Sequence, residues 1–270
     1  MKFGGIFWIF RLFSRGEFGK ILTALWFIFY REFYELVFWF NIHINSGYTK
    51  SLKSVITVKT KHAVAFKSPD HLIPWGTKND NSTNKKFVLH MDKLIGEYTS
   101  RRPKSLLDLG CSGGQLVKDF RDVGWISVGL EGSDYSLKRG RANWPELGGK
   151  NLFTCDIAKP FALFVNRKRH KFELITAWEV LEHIKKSDLT ILFRNIVHHL
   201  SRGGYFIAST TSVPDIHDGI DLHQTKLTNK AWRVWIKKNV FEFASADDGL
   251  TFYQRVRYNF EHSYLVYQKK

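Results

Sequence analysis

Cysteine is scarce: Cys111 and Cys155 are the only two in 270 residues. Two thiols inside apolar α/β-like segments make no disulfide framework, and they suit free cysteines in a reducing, cytoplasmic compartment. No internal repeat or low-complexity tract is visible, which excludes a repeat array. The aromatic opening MKFGGIFWIF meets Arg11 before any small-residue cleavage site. It therefore makes a poor signal peptide and is expected to be retained. Acidic residues are few, 25 Asp and Glu against 41 Lys and Arg, for a net charge of +16. Residues 1–104 alone carry 17 basic against 7 acidic side chains. An anionic partner follows, whether a membrane surface, a nucleic acid or a phosphorylated substrate.

A long uncharged apolar run is also missing. The best candidate span, residues 21–40, holds Arg31, Glu32 and Glu35 near its middle. Inserting them costs roughly 7–11 kcal/mol, against about 3–7 returned by the Leu, Ile, Val and Phe of the segment. Residues 1–45 are thus expected to form an aromatic, amphipathic helical extension. It would lie on an anionic membrane surface, placing the protein peripherally on the inner face of a membrane, or dock against the rest of the chain.

The remainder reads as a basic cap or lid segment, 46–104, followed by an α/β domain, 105–270. Apolar residues make up 44% of the chain, enough to fill such a core. In the cap, Pro74, Gly76, Asn79, Asp80, Asn81, Ser82 and Asn84 mark an ordered loop or lid. It would cover a ligand or bind a second one through stacking on Trp75 and hydrogen bonds from Asn79 and Asn81. From residue 105, SLLDLG, WISVGLEG, NLFTCD, FELITAW and GYFIAST read as strands, and the segments between them as crossover helices. This predicts a parallel, doubly wound, Rossmann-like sheet. A helix is expected near 227–239, and strands near 251–258 and 263–268 to close the sheet edge.

Two nucleotide signatures are absent from SLLDLGCSGGQLVKDF (105–120). Counting from Gly110, Ser112 and Gln115 stand where G-x-G-x-x-G needs glycines, and Gln115 follows Gly113-Gly114 where a triphosphate loop needs Lys. What remains is a carboxylate, Asp108, at a strand end, then small residues at 110, 112, 113 and 114 that admit a ligand close to the backbone. Glu131, 21 residues past Gly110 and at the end of the next strand, is placed to accept hydrogen bonds from ribose hydroxyls. A nucleoside without phosphate fits this pair.

These landmarks resemble the class I S-adenosylmethionine-dependent methyltransferases over roughly residues 100–240. Asp108-Leu-Gly-Cys-Ser-Gly-Gly resembles the family's glycine turn, with Ser112 in place of the central glycine. Glu131-Gly132 matches the ribose carboxylate, and Cys155-Asp156-Ile157 the site beside the adenine amino group. TAWEVLEHI (176–184) matches the fourth-strand motif, and HLSRGGYFIAST (199–210) the turn into strand five. The resemblance implies that S-adenosyl-L-methionine is held by Asp108, Gly110, Cys111, Ser112, Gly113, Gly114, Glu131, Gly132, Asp156, Ile157 and Trp178. The donor is a sulfonium cation, which carboxylates suit better than Lys or Arg. Methyl transfer then needs in-line alignment and, for a hydroxyl acceptor, a base; His183, His217 and His223 are candidates.

If a helix begins by Glu179, then Glu179, Glu182 and His183 share one face at i, i+3 and i+4. Small-RNA and ubiquinone-pathway O-methyltransferases resemble this Glu-x-x-Glu-His stretch and hold a metal there. That implies a Mg²⁺ or Mn²⁺ site at Glu179, Glu182 and His183, with His223 as fourth ligand and His217 second in line; a metal-free His183 base is the alternative. The acceptor is expected to be a small-molecule, glycan or lipid-linked hydroxyl, with His217 beside Trp75, Asn79 and Asn81 among the substrate residues. Two other classes stay open: an RNA methyltransferase or basic nucleic-acid-binding protein, given NRKRHK at 166–171, and a catalytically silent nucleoside-binding scaffold.

Overall fold

A computed structural model describes residues 18–44, 54–98, 104–246 and 262–270. The chain forms two compact units, Met1–Thr49 and Lys50–Lys270. In the first, Phe18–Ile44 is a single 27-residue helix. No helix among the described residues is long and apolar enough to cross a membrane. The strand expected at 251–258 lies outside the described residues.

The second unit opens with β1 (Ile56–Thr60), two short helices at Pro69–Leu72 and Trp75–Asn79, and a longer one at Lys85–Tyr98. There follow β2 (Ser105–Leu109), β3 (Ile126–Glu131), β4 (Leu152–Thr154), β5 (Phe161–Val165), β6 (Lys168–Arg169) and β7 (Phe172–Trp178). The chain ends through β8 (Leu200–Thr211), β9 (Ile216–His217), β10 (Ile220–Asp221), β11 (Phe243–Ser245) and β12 (His262–Lys269).

Every residue of β2 and β3 is buried, which is why SLLDL and ISVGLE read as runs rather than alternating patterns. The main sheet has seven strands in the order β11-β12-β8-β7-β2-β3-β4. Strands β4, β3, β2, β7 and β8 are parallel, and β12 runs antiparallel to β8. The fold is the Rossmann-like α/β architecture with the aromatic helical extension ahead of it. The strand expected at 263–268 is β12, flanked by β8 and the edge strand β11, and the helix expected near 227–239 is Asn229–Asn239. The chain reverses its direction of growth between β2 and β7, and such a switch point opens a crevice at the strands' carboxyl ends. Gly110 and Glu179 follow directly there.

The crossover helices are realised only in part. Between β3 and β4 stand two four-residue helices, Tyr135–Lys138 and Trp144–Leu147. Between β4 and β7 the connection is a β-hairpin, β5 and β6, which joins β1 in a separate three-stranded antiparallel sheet. Its turn residues Asn166 and Arg167 both take positive φ, 50° and 66°, the backbone of a tight two-residue hairpin. The basic cluster NRKRHK is the tip of this hairpin, exposed from Asn166 to Arg169.

Candidate functional site

The glycine turn is tied to the next strand before any ligand is considered. Gly110 N and Cys111 N both donate to Leu130 O, at 2.8 and 3.1 Å. Asp108, buried at the end of β2, accepts a 2.7 Å hydrogen bond from Thr176 Oγ1 on β7. The switch-point strands are thus cross-linked at the crevice floor. Gly114 begins the helix Gln115–Asp122 at φ 82°, and a Cβ there would lie 2.4 Å from Leu152 Cδ1. Both the left-handed backbone and the packing demand glycine. Cys111 contributes backbone only: its side chain packs into the cluster of Val117, Trp144, Leu147 and Leu152, and burial raises the thiol's pKa well above its ordinary value.

Ser112, which departs from the family's glycine, sits at φ 46°. Its N–H donates to Glu131 Oε2 at 2.8 Å, while Ser133 N donates to Glu131 Oε1 at 3.1 Å. Glu131 is 7% exposed, and burial raises its pKa against the opposing pull of those two N–H groups. Each oxygen keeps a further lone pair for a ligand. At the end of β4, Asp156 Oδ1 accepts from Ala158 N at 3.0 Å. Ile157 is buried, and its carbonyl accepts from Asn195 Nδ2 at 3.0 Å. Cys155 N donates to Glu131 O at 2.9 Å; burial pushes the Cys155 thiol up to about 12. Trp178, half-buried at the end of β7, packs edge-to-face on Phe87 at 5.1 Å.

Residues 62–81 run as a strap over these strand ends. Asp156 N donates to His62 O, and Ala65 N donates to Gly132 O, both at 2.9 Å. Ser112 Oγ donates to Asp80 O at 2.7 Å. Arg141 donates through Nε to Lys78 O at 2.7 Å, and through Nη2 to Asp80 O. Asn81 Oδ1 accepts from Gln115 N at 3.1 Å and sits where a Cβ on Gly113 would be, 2.2 Å away. Asn81 is therefore spent on the donor-side turn. Asn79 is spent too: its amide caps its own short helix by donating to Trp75 O at 2.9 Å. Trp75, half-exposed, stacks on His217 with ring centroids 4.6 Å apart, and His217 Nε2 lies 2.9 Å from Asp215 Oδ1.

The Glu-x-x-Glu-His stretch is not one helix face. Glu179 takes φ 54°, its N–H donates to Ser209 O at 3.1 Å, and only Leu181–His183 form a single 3₁₀ turn. The i, i+3, i+4 geometry requires α-helix from Glu179 onward, so Glu179 drops out of the expected face. Glu182, His183 and His223 do converge, with one ligand atom of each within 4.8 Å of the others. Glu182 is fully buried; Oε1 accepts from Thr211 N at 3.1 Å, while Oε2 is buried without a hydrogen-bond partner. Burial, then the nearby Glu179 charge, pushes its pKa up to about 8. Burial works to lower the His183 pKa, but Asp70, 2.9 Å from Nδ1, together with Glu182 and Asp215 raises it to about 9. For His223, burial and the His183 charge lower the pKa. Its Nδ1 pairs with Val213 O, which leaves Nε2 as the open ring nitrogen.

Asp70 is the residue the sequence reading misses. It lies in a four-residue helix capped by Ser68, whose Oγ accepts from His71 N at 3.1 Å. Ser-Pro-Asp is an ordinary helix start, so nothing local marks its contact with His183.

Residues 87–258 match the family model described as a methyltransferase domain. A ubiquinone biosynthesis O-methyltransferase of Idiomarina loihiensis is 28% identical over 121 residues, 45% of each chain. One of the same description from Nitrosomonas europaea is 26% identical over 121 residues, 45% of this chain and 48% of the relative. The matches thus span about half the length of these curated relatives. In fold, the chain is similar to an S-adenosylmethionine-dependent methyltransferase of Clostridium acetobutylicum, with a TM-score of 0.51 at 16% identity, covering 74% of this chain and 95% of that one.

Proposed function

Because the chain belongs to the methyltransferase-domain family, we propose that it transfers a methyl group from S-adenosylmethionine to a hydroxyl oxygen of a small-molecule acceptor, such as a phenol, a sugar or a lipid-linked ring. The observation that carries the reading is the pair of buried carboxylates, Asp108 and Glu131, at the ends of adjacent strands on either side of a tight small-residue turn. That pairing suits the ribose hydroxyls and cationic portion of a sulfonium nucleoside. The Glu-His-His group, close by after β7, supports an oxygen acceptor, as does the O-methyltransferase description of the relatives.

When bound, the donor supplies an electrophilic methyl carbon on a positively charged sulfur. The residues around it then align rather than activate: Glu131 fixes the ribose, the turn backbone fixes the amino-acid end, and the strap excludes water from the crevice. The acceptor hydroxyl must lose its proton as the C–O bond forms. His223, neutral and with Nε2 open, is placed to take it, and His183 is held by Asp70 at its far nitrogen.

The same three residues fit a divalent cation. The orphaned Glu182 Oε2 and the two ring nitrogens turned away from Asp70 and Val213 make a one-carboxylate, two-imidazole donor set. Such a set suits a borderline divalent transition ion such as Mn²⁺ better than the oxygen-seeking Mg²⁺. The acidic surroundings, with Asp70, Glu179 and Asp215, suit added positive charge. Such an ion would lower the pKa of an acceptor hydroxyl.

Incubation with methyl-labelled S-adenosylmethionine and a panel of catechols and sugar alcohols tests the reading. The expected result is label on an acceptor oxygen, lost in His223→Ala while donor affinity stays within about twofold. If chelation abolishes turnover and Mn²⁺ restores it, the cation reading holds; turnover indifferent to chelation leaves the metal-free base. Label on nitrogen or carbon alone, or turnover untouched by His223→Ala, contradicts the proposed chemistry.

A further inference from the structure

The Phe18–Ile44 helix has a more buried side and an exposed apolar one. Tyr30, Tyr34, Val37, Phe38 and Asn41 lie on one side and are half-buried or buried. On another, Leu22, Trp26, Phe29, Phe33, Leu36 and Phe40 are 44–70% exposed. Their spacing alternates four and three residues, which keeps them in a single stripe. Over that stretch the stripe is about 27 Å long at 1.5 Å per residue. Exposed apolar surface this continuous marks an interaction site.

Three features select the occupant. Arg31 and Glu35 project from the side away from the stripe at 100° per residue, while Glu32, at its edge, is paired to Arg31 at 2.6 Å. The helix therefore presents one apolar face along its length and cannot cross a bilayer, consistent with the lack of a crossing-competent helix among the described residues. Trp26 and Trp39, both at least half-exposed, are side chains that settle at lipid headgroup level. After Glu35 no acidic residue occurs before Asp70, whereas Lys50, Lys53, Lys59, Lys61 and Lys67 all do, in a chain of net charge +16. An apolar stripe on a chain of this net charge matches an anionic bilayer surface, which supplies acyl chains to the stripe and phosphates to the excess basic residues.

We infer that the Phe18–Ile44 helix lies in the plane of an anionic lipid bilayer surface, its Leu22–Phe40 stripe buried among the acyl chains. The inference stands on this helix and its charge pattern, and does not depend on the methyltransferase reading.

The test is co-sedimentation of the full chain with phosphatidylcholine vesicles, with and without about one-third phosphatidylglycerol. Binding to the anionic vesicles is expected, weakened severalfold by high salt or by omitting phosphatidylglycerol. The double substitution Phe29→Glu/Phe33→Glu should lower binding at least about tenfold, and Glu35→Gln, off the stripe, should leave it unchanged. If the double variant misfolds, quenching decides: vesicles brominated in the upper acyl chain should quench the native chain's tryptophan emission, and Trp26→Phe should remove part of that quenching. Absence of binding to either vesicle, binding and quenching indifferent to the stripe, or a lipid-free dimer that the stripe substitutions dissociate would each overturn the inference, the last by making the occupant a second copy of the chain.

Discussion

Replacing Ser112 by Gly separates two roles that one residue fills. At φ 46° serine bears a left-handed backbone that costs an L-residue roughly 1–2 kcal/mol, a cost glycine escapes. Glycine in turn adds about 0.4–1 kcal/mol of unfolded-chain entropy and loses the 2.7 Å hydrogen bond from Ser112 Oγ to Asp80 O, a net of roughly 0.5–1.5 kcal/mol. The global terms nearly cancel, so Ser112→Gly should melt within a few degrees of the native chain. The local terms do not cancel, because the lost bond joins the strap to the turn. Losing about 1 kcal/mol there raises the opening equilibrium of residues 62–81 roughly fivefold. Hydrogen exchange read by mass spectrometry should show strap amides such as Ala65 and Lys78 exchanging faster by that factor, with helix Leu189–His199 unchanged. Ser112→Ala keeps the strain and loses the bond, so it should open the strap similarly and also melt lower. Unchanged strap exchange in both variants would refute the view that the serine in the glycine position latches the strap.

Gly114→Ala should cost far more than Gly149→Ala. Both glycines have positive φ, 82° and 72°, but a Cβ at 114 meets Leu152 Cδ1 at 2.4 Å while one at 149 meets nothing within 4 Å. The left-handed penalty applies to both, and overpacking adds about 1–3 kcal/mol at 114. Calorimetry should find the Gly114 variant melting several degrees below the Gly149 variant, and equal melting would deny the close helix–strand approach. Acid should weaken the fold through His199, stacked on Phe161 at 4.6 Å, whose pKa burial pushes down to about 4. The folded state favours the neutral ring, so the unfolded chain binds the proton first. Stability is then lost as pH falls from about 6.5 towards 4, about 2 kcal/mol by pH 5. Urea unfolding at pH 7.5 and pH 5 should show that difference shrinking in His199→Gln; an undiminished loss would place the acid sensitivity elsewhere.

What could be read from the sequence follows from what each interaction is made of. The five parallel strands were legible because strands buried on both faces must be continuous apolar runs, and SLLDL and ISVGLE are such runs. The donor turn was legible because its requirements fall on side chains or on their absence. The β5–β6 hairpin was hidden because its strand partner, β1, lies about a hundred residues earlier and its turn, Asn166-Arg167, lacks glycine. The strap was legible as polar punctuation but not as a latch, since His62, Lys78 and Asp80 act through carbonyl oxygens that any residue supplies. Glu179 misled because spacing predicts a shared face only where the backbone is helical, and there it turns left-handed instead. Asp70 could be found only in space, through its approach to His183.

The account rests on a nucleoside donor held between Asp108 and Glu131, and titration calorimetry of S-adenosylhomocysteine into the full chain and into Glu131→Ala tests it most directly. The native chain should bind in the micromolar range. The variant, deprived of the ribose acceptor and leaving Ser112 N and Ser133 N unpaired, should lose about 1–3 kcal/mol, roughly five- to 150-fold in affinity. No heat from folded native protein, or equal affinity in the two chains, would contradict the assignment.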